Sequence, residues 1–151
     1  MKTEFKAIET KDISTLVKFM TDFYAIDGYP INNKVTENNF KTFISNPNLG
    51  QCFLILHNNQ PAGYVLLNYL FSFEFGGLIA FLDELYIDAN FQGKGLGKLA
   101  VTFAQEFAQK KDFKILYLEV ELHNERAIEL YKKLDFKTHH RNLMIWKNPN
   151  A

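Results

Sequence analysis

Residues able to do chemistry gather in three places. The first is Gln92-Gly93-Lys94-Gly95-Leu96-Gly97, followed by Lys98. Three alternate glycines let a backbone take positive φ and approach a ligand closely. A helical pattern begins there, and the amides and dipole of a helix start favour an anion. With Lys94 and Lys98 nearby, a phosphate-bearing ligand is a better reading than a loop whose glycines only turn the chain. The second place is Asp83-Glu84, set inside the otherwise apolar Phe81-Leu82-Asp83-Glu84-Leu85-Tyr86. Charge in a central strand is expensive unless paired or useful. Strand alternation points the two carboxylates to opposite faces unless a bulge intervenes. The third is Asn124 to Tyr131, where helical spacing puts Asn124, Ala127, Ile128 and Tyr131 on one face.

The type of phosphate ligand can be narrowed. A nucleoside-triphosphate loop needs Gly-Lys-Ser/Thr after a four-residue gap, and the sequence lacks it. A dinucleotide fold is a closer rival. Gly95-Leu96-Gly97-Lys98-Leu99-Ala100 fits G-x-G-x-x-A, and Glu119 stands about 20 residues on. Against it, Asp88 to Gln92 separate the glycines from their strand, and too little chain follows Glu119 for a second half-fold.

Other reactive side chains carry weaker signals. Cys52 sits in Gln51-Cys52-Phe53-Leu54-Ile55-Leu56 and reads as a small core residue, with no local base to activate a thiol. His139 and His140 are adjacent in an expected strand and so face opposite ways. His57 falls at a turn, and His123 reads as a surface residue. No metal-ligand spacing is visible.

The elements that must position these groups follow from periodicity and punctuation. Phe5 to Glu9 alternates as a strand. Asp12 is expected to cap a helix with apolar positions Ile13, Leu16, Val17, Met20, Phe23 and Tyr24, ended by Asp27-Gly28-Tyr29-Pro30. A short helix covers Thr36 to Ile44. Strands Cys52–Leu56 and Gly63–Phe73 flank the turn Asn58-Asn59-Gln60-Pro61 as a hairpin. Gly76-Gly77 turns into a strand from Leu78 to Ile87. A helix from Gly95 to Lys110, a strand from Ile115 to Leu122, a helix from Asn124 to Leu134 and a last strand or strand pair from Phe136 to Trp146 complete the order. Hairpins mixed with two crossovers predict an α/β fold: a mixed sheet with helices on both faces, in which 78–87 and 115–122 run parallel.

Composition bounds the class. One domain spanning 1–151 is expected for 151 residues, and 47% hydrophobic residues with 15 Phe and 7 Tyr suffice for an aromatic core. Lys+Arg and Asp+Glu balance at 17 each, so there is no global field to draw nucleic acid or an anionic membrane. No segment reaches the roughly 18 apolar residues of a membrane span, and the first residues lack a signal-peptide pattern. A soluble, cytoplasmic protein is expected.

At this point the residues resemble the GNAT superfamily of N-acetyltransferases. Its central motif, Arg/Gln-x-x-Gly-x-Gly/Ala after an apolar strand end, is similar to Gln92 to Gly97 preceded by Leu85-Tyr86-Ile87. Its second signature is similar to Leu118-Glu119-Val120, then Asn124-Glu125-Arg126-Ala127-Ile128-Glu129-Leu130-Tyr131-Lys132-Lys133-Leu134-Asp135-Phe136. The departure is Asp135, where a glycine is usual; a left-handed turn there costs a little stability.

The resemblance implies a GNAT-like, mostly antiparallel sheet with a splayed parallel strand pair. It implies acetyl-CoA as acyl donor and direct attack by an amine, without an acyl-enzyme. Pantetheine would bond to backbone of Leu85, Tyr86 and Ile87. The pyrophosphate would lie on Gln92, Gly93, Lys94, Gly95, Leu96, Gly97 and Lys98, with Asn124, Tyr131 and Lys133 as further coenzyme contacts. Tyr131 matches the tyrosine that protonates the departing thiolate; a packing aromatic is the bland alternative. Asp83, Glu84 and Glu119 remain open as the base, each against the plainer reading of a paired or water-facing charge. Tyr24, Asp27, Tyr29, Phe71, Phe73 and Glu74 are candidates for an aromatic, acidic pocket taking a small-molecule amine, and could equally be core or dimer contacts. A homodimer is expected from the apolar Leu143-Met144-Ile145-Trp146. The rival class is a non-catalytic acyl-CoA sensor or interaction module.

Overall fold

The computed structural model describes residues 2–151. They form two compact units that meet in sequence at Glu119 and Val120.

The first unit holds one five-stranded sheet: β1 (Thr3–Ala7), β2 (Gly50–His57), β3 (Gln60–Ser72), β4 (Gly77–Ile87) and β5 (Leu116–Leu118), in that spatial order. β1 to β4 pair antiparallel, and β4 pairs with β5 in parallel. The helices are α1 (Ile13–Ala25), α2 (Asn33–Ser45) and α3 (Leu96–Lys110). Asn58 and Asn59 both take positive φ, which the tight β2–β3 hairpin requires.

Strand alternation allots the side chains to two cores. Cys52, Leu54, Tyr64, Leu66 and Tyr86 pack with Leu16 and Phe19 of α1 and Phe40 of α2. Ile55, Ala62, Leu85 and Ile87 pack with Leu96 and Ala100 of α3. Phe53 adds edge-to-face contacts with Phe103 and Phe107 of α3. The result is the mixed α/β sheet with helices on both faces that the sequence predicts.

Several boundaries differ from expectation. α2 begins earlier, because the Asn32 side chain accepts from the Lys34 and Val35 amides. Asp12 does not cap α1. A 3-10 turn, Thr10–Asp12, precedes that helix, and the Asp12 carboxylate instead accepts from Lys6 Nζ and the Glu9 amide, both at 2.9 Å. α1 ends as predicted before Gly28, which takes φ +73°. β5 is shorter than 115–122. Its ladder with β4 runs only through Ala80–Leu116, Phe81–Tyr117 and Leu82–Leu118. It stops where β4 is interrupted: Leu66 pairs with Glu84 and Leu67 with Leu82, so Asp83 is an extra, bulged residue.

The second unit contains α4 (Glu125–Lys133). Asn124 caps it, its side chain accepting from the Ala127 amide at 3.2 Å. Two residues past the helix end, Asp135 takes φ +70°, the left-handed position that the usual glycine would fill. The strand or strand pair expected over 136–146 is not formed. A strand exists only as a member of a ladder, and this unit has no other strand among its described residues. His139 and His140 therefore lie in irregular chain.

Candidate active site

The bulge at Asp83 decides where the carboxylates go. With one residue inserted, Glu84 and Tyr86 share the α1/α2 face, while Leu85 and Ile87 share the α3 face. Asp83 is exposed, yet it lines the same cavity as Glu84. The two acids are thus near one another instead of on opposite faces.

Glu84 is held from two sides. The Tyr24 hydroxyl, from α1, donates to its Oε2 at 2.6 Å. The Tyr64 hydroxyl, from β3, donates to its Oε1 at 2.7 Å. Burial pushes the Glu84 carboxyl above its usual range; the two phenol bonds pull it back and the Asp83 charge pushes it up again. Burial and the neighbouring carboxylate raise both phenols as well, so they stay protonated as donors. The outcome is a half-buried acid with a fixed orientation and an affinity for a proton above that of a free carboxylate.

Two cavities open onto this acid. One of about 480 Å³ is lined by Phe23, Tyr24, Asp27, Tyr29, Pro30 and Glu84. The other, about 380 Å³, has Tyr24 and Glu84 in common with it and reaches Asp83, Phe40 and Phe43. Both volumes fall in the range of small-ligand sites. Phe71, Phe73 and Glu74 line neither. They lie at the far end of the β3–β4 hairpin, with the Phe71 and Phe73 rings 5.3 Å apart and both exposed.

β4 then leads to the glycine turn. From Glu84 to Ile87 it pairs with β3 on one side only, since the β5 ladder has ended. The other edge of Leu85, Tyr86 and Ile87 has no ladder partner among the described residues. Gln92 Nε2 donates to the Ile87 carbonyl at 3.2 Å, tying the turn to the strand end. Gly93 and Gly95 take φ +78° and +77°. A Cβ added at Gly93, Gly95 or Gly97 would meet no atom within 4 Å. Gly95 is the residue before α3, so the first-turn amides that follow lack intrahelical acceptors. Lys94 and Lys98 are exposed beside them. Open, donor-rich and cationic, this turn fits a pyrophosphate.

The remaining candidates are placed as follows. Glu119 is exposed just after β5. Tyr131 is half-buried on α4, its ring 5.8 Å from Phe136, and burial raises its phenol. Lys133 ends α4 and is exposed. Cys52 is fully buried, and burial pushes its thiol far up, which suits a core residue and not a nucleophile. His57 is buried, 3.0 Å from the Thr3 hydroxyl. No cluster able to hold a metal occurs among the described residues. The residue that sequence reasoning missed is Tyr64. Its signal was weak: a tyrosine two positions from Leu66 in an apolar strand, meaningful only once Leu66 is paired with Glu84.

A mixed sheet whose parallel β4–β5 ladder ends at a bulge, with an open glycine turn after β4 and a phenol-held acid on that strand, is the arrangement that the GNAT resemblance implies. Residues 16–136 match the acetyltransferase (GNAT) family, and the chain belongs to that family. Over 82 residues it is 34% identical to an uncharacterised N-acetyltransferase of Methanocaldococcus jannaschii, covering 53% of this chain and 36% of that one. Over 93 residues it is 31% identical to the spermine/spermidine N(1)-acetyltransferase of Bacillus subtilis (strain 168), covering 54% of this chain and 61% of that one. The match thus spans less than two thirds of either relative's own length. Among solved structures, a possible acetyltransferase from Clostridium difficile 630 superposes with a TM-score of 0.88 at 17% identity, covering 98% of this chain and 99% of that one.

Proposed function

We propose that the chain transfers an acetyl group from acetyl-CoA to a primary amine of a small molecule, by direct attack. The observation that carries this is the phenol-held Glu84 on the same strand that runs into the open glycine turn. The family match supplies the reaction class, and the relative described as acting on spermine and spermidine supports a small amine acceptor.

The donor, when bound, supplies a thioester carbonyl and a thiol leaving group. The turn from Gln92 to Lys98 holds its pyrophosphate, and the open edge of Leu85 to Ile87 offers backbone groups to its pantetheine. An acceptor arrives as an ammonium and must lose a proton before it can attack. Glu84, made more basic by burial, takes that proton directly or through water. Asp83 raises the local concentration of ammonium. The nitrogen–carbon bond then forms as the carbon–sulfur bond breaks; the acylated nitrogen releases its second proton to water, and Tyr131 gives its hydroxyl proton to the sulfur and takes one back from water. Its match to Asn124-x-x-Ala127-x-x-Leu130-Tyr131 supports that role.

Two measurements test the reading. Calorimetry with acetyl-CoA and with NAD separates the coenzyme classes; binding of NAD alone would overturn the donor. Thiol release with a broad amine panel tests turnover. Binding of acetyl-CoA without acetylation of any amine would favour a sensor.

A further inference from the structure

We infer that the acceptor carries a second positive charge, an alkyl chain away from the reacting amine, and no carboxylate, the distal ammonium being held by Asp27. The inference rests on the acceptor-site reading just given.

A simple monoamine needs one counter-charge, and Glu84 provides it. The cavities hold more than that. The larger one has a second carboxylate, Asp27, and three aromatic rings from Phe23, Tyr24 and Tyr29. The smaller one adds Asp83. No Lys, Arg or His lines either cavity. Neither Asp27 nor Asp83 has a cationic partner among the described residues.

Asp27 also occupies a favourable place for a cation. It lies just past the last residue of α1, where the helix dipole presents its negative end. The rings that line the cavity with Asp27 and Glu84 offer π faces to an ammonium and apolar walls to a methylene chain. A cation at each end and methylenes between them match this lining. An amino acid does not match it. Its carboxylate would meet two or three like charges and no cation, a repulsion of kcal/mol size near a protein surface.

The test uses the full chain, acetyl-CoA and acceptors matched in length. Cadaverine, n-pentylamine and lysine differ only by an ammonium or a carboxylate; putrescine, butylamine and ornithine form a second set. The expected kcat/KM for each diamine exceeds that of its monoamine by about tenfold, through KM, as one extra ion pair with partial desolvation would give. The amino acids should fall below the monoamines. Asp27→Asn should cut the diamine-to-monoamine ratio about fivefold. Equal use of monoamine and diamine, preference for the amino acids, or an unchanged ratio in Asp27→Asn would each overturn the inference and leave amine acetylation standing. Failure to acetylate any amine would overturn both.

Discussion

At the scale of single residues, the site depends on what burial does to protons. Glu84 has its pKa raised from 4.5, burial being the main cause. Below 4.5 the folded and unfolded states both keep the proton. As pH rises above that, the unfolded chain releases it first, so folding stability falls until the native group also ionises. Glu84→Gln removes this dependence. The stability of the variant relative to the parent, read by thermal melts, should therefore increase from about pH 4 to neutrality. The same variant should lose turnover by about 10²-fold, the low end for a general base because water and Asp83 substitute in part. Intact turnover would reassign the base. Tyr131→Phe removes one hydroxyl and keeps the ring against Phe136. Coenzyme affinity and stability should change little, while the single-turnover rate falls by about 10²-fold. An unchanged rate would make Tyr131 a packing residue.

At the scale of elements, the turn before α3 is the most demanding. Gly95→Val places a β-branched residue at φ +77° in otherwise open space. The backbone must then leave the left-handed region, at a strain cost of roughly 1–2 kcal/mol or more, and the added branches occupy the ligand's approach. Acetyl-CoA affinity by calorimetry should drop at least about tenfold in a protein that still folds. Unchanged affinity would remove the turn from the site. This element was legible from sequence because its glycines, lysines and helix start are contiguous. The Asn58-Asn59 hairpin and the left-handed Asp135 were legible for the same reason, since each is a local backbone demand. The bulge was not. It depends on which β3 residue faces which β4 residue, a pairing fixed across the sheet. Tyr64 was hidden for the same cause: its carboxylate partner is 20 residues away in sequence. The strand expected at the end of the chain shows the reverse error, an apolar run read as a strand without a neighbour to pair with.

At the scale of the whole molecule, charge neutrality leaves association to apolar surface. Leu143, Met144, Ile145 and Trp146 are 78–92% exposed. A contiguous run of large side chains left to water favours self-association. Light scattering should therefore return about twice the chain mass of 17.6 kDa. A monomer at working concentration would refute the dimer. The balanced charge makes a further distinction: raising salt should weaken acceptor binding at the acidic cavities, while an apolar dimer contact persists.

Asp83 acts as a change of phase within its strand. Before it, Leu82 lies opposite Leu67; after it, Glu84 lies opposite Leu66. Excising that one residue would bring Leu82 and Glu84 into direct succession, and ordinary alternation would leave each on the side it now occupies. The insertion is therefore separable from the sheet that carries it. A one-codon deletion would keep both cores, straighten β4 and let β5 zip further along it, closing the edge proposed to receive the coenzyme. The fold can exist without the cleft, and a single extra residue is what keeps the two apart.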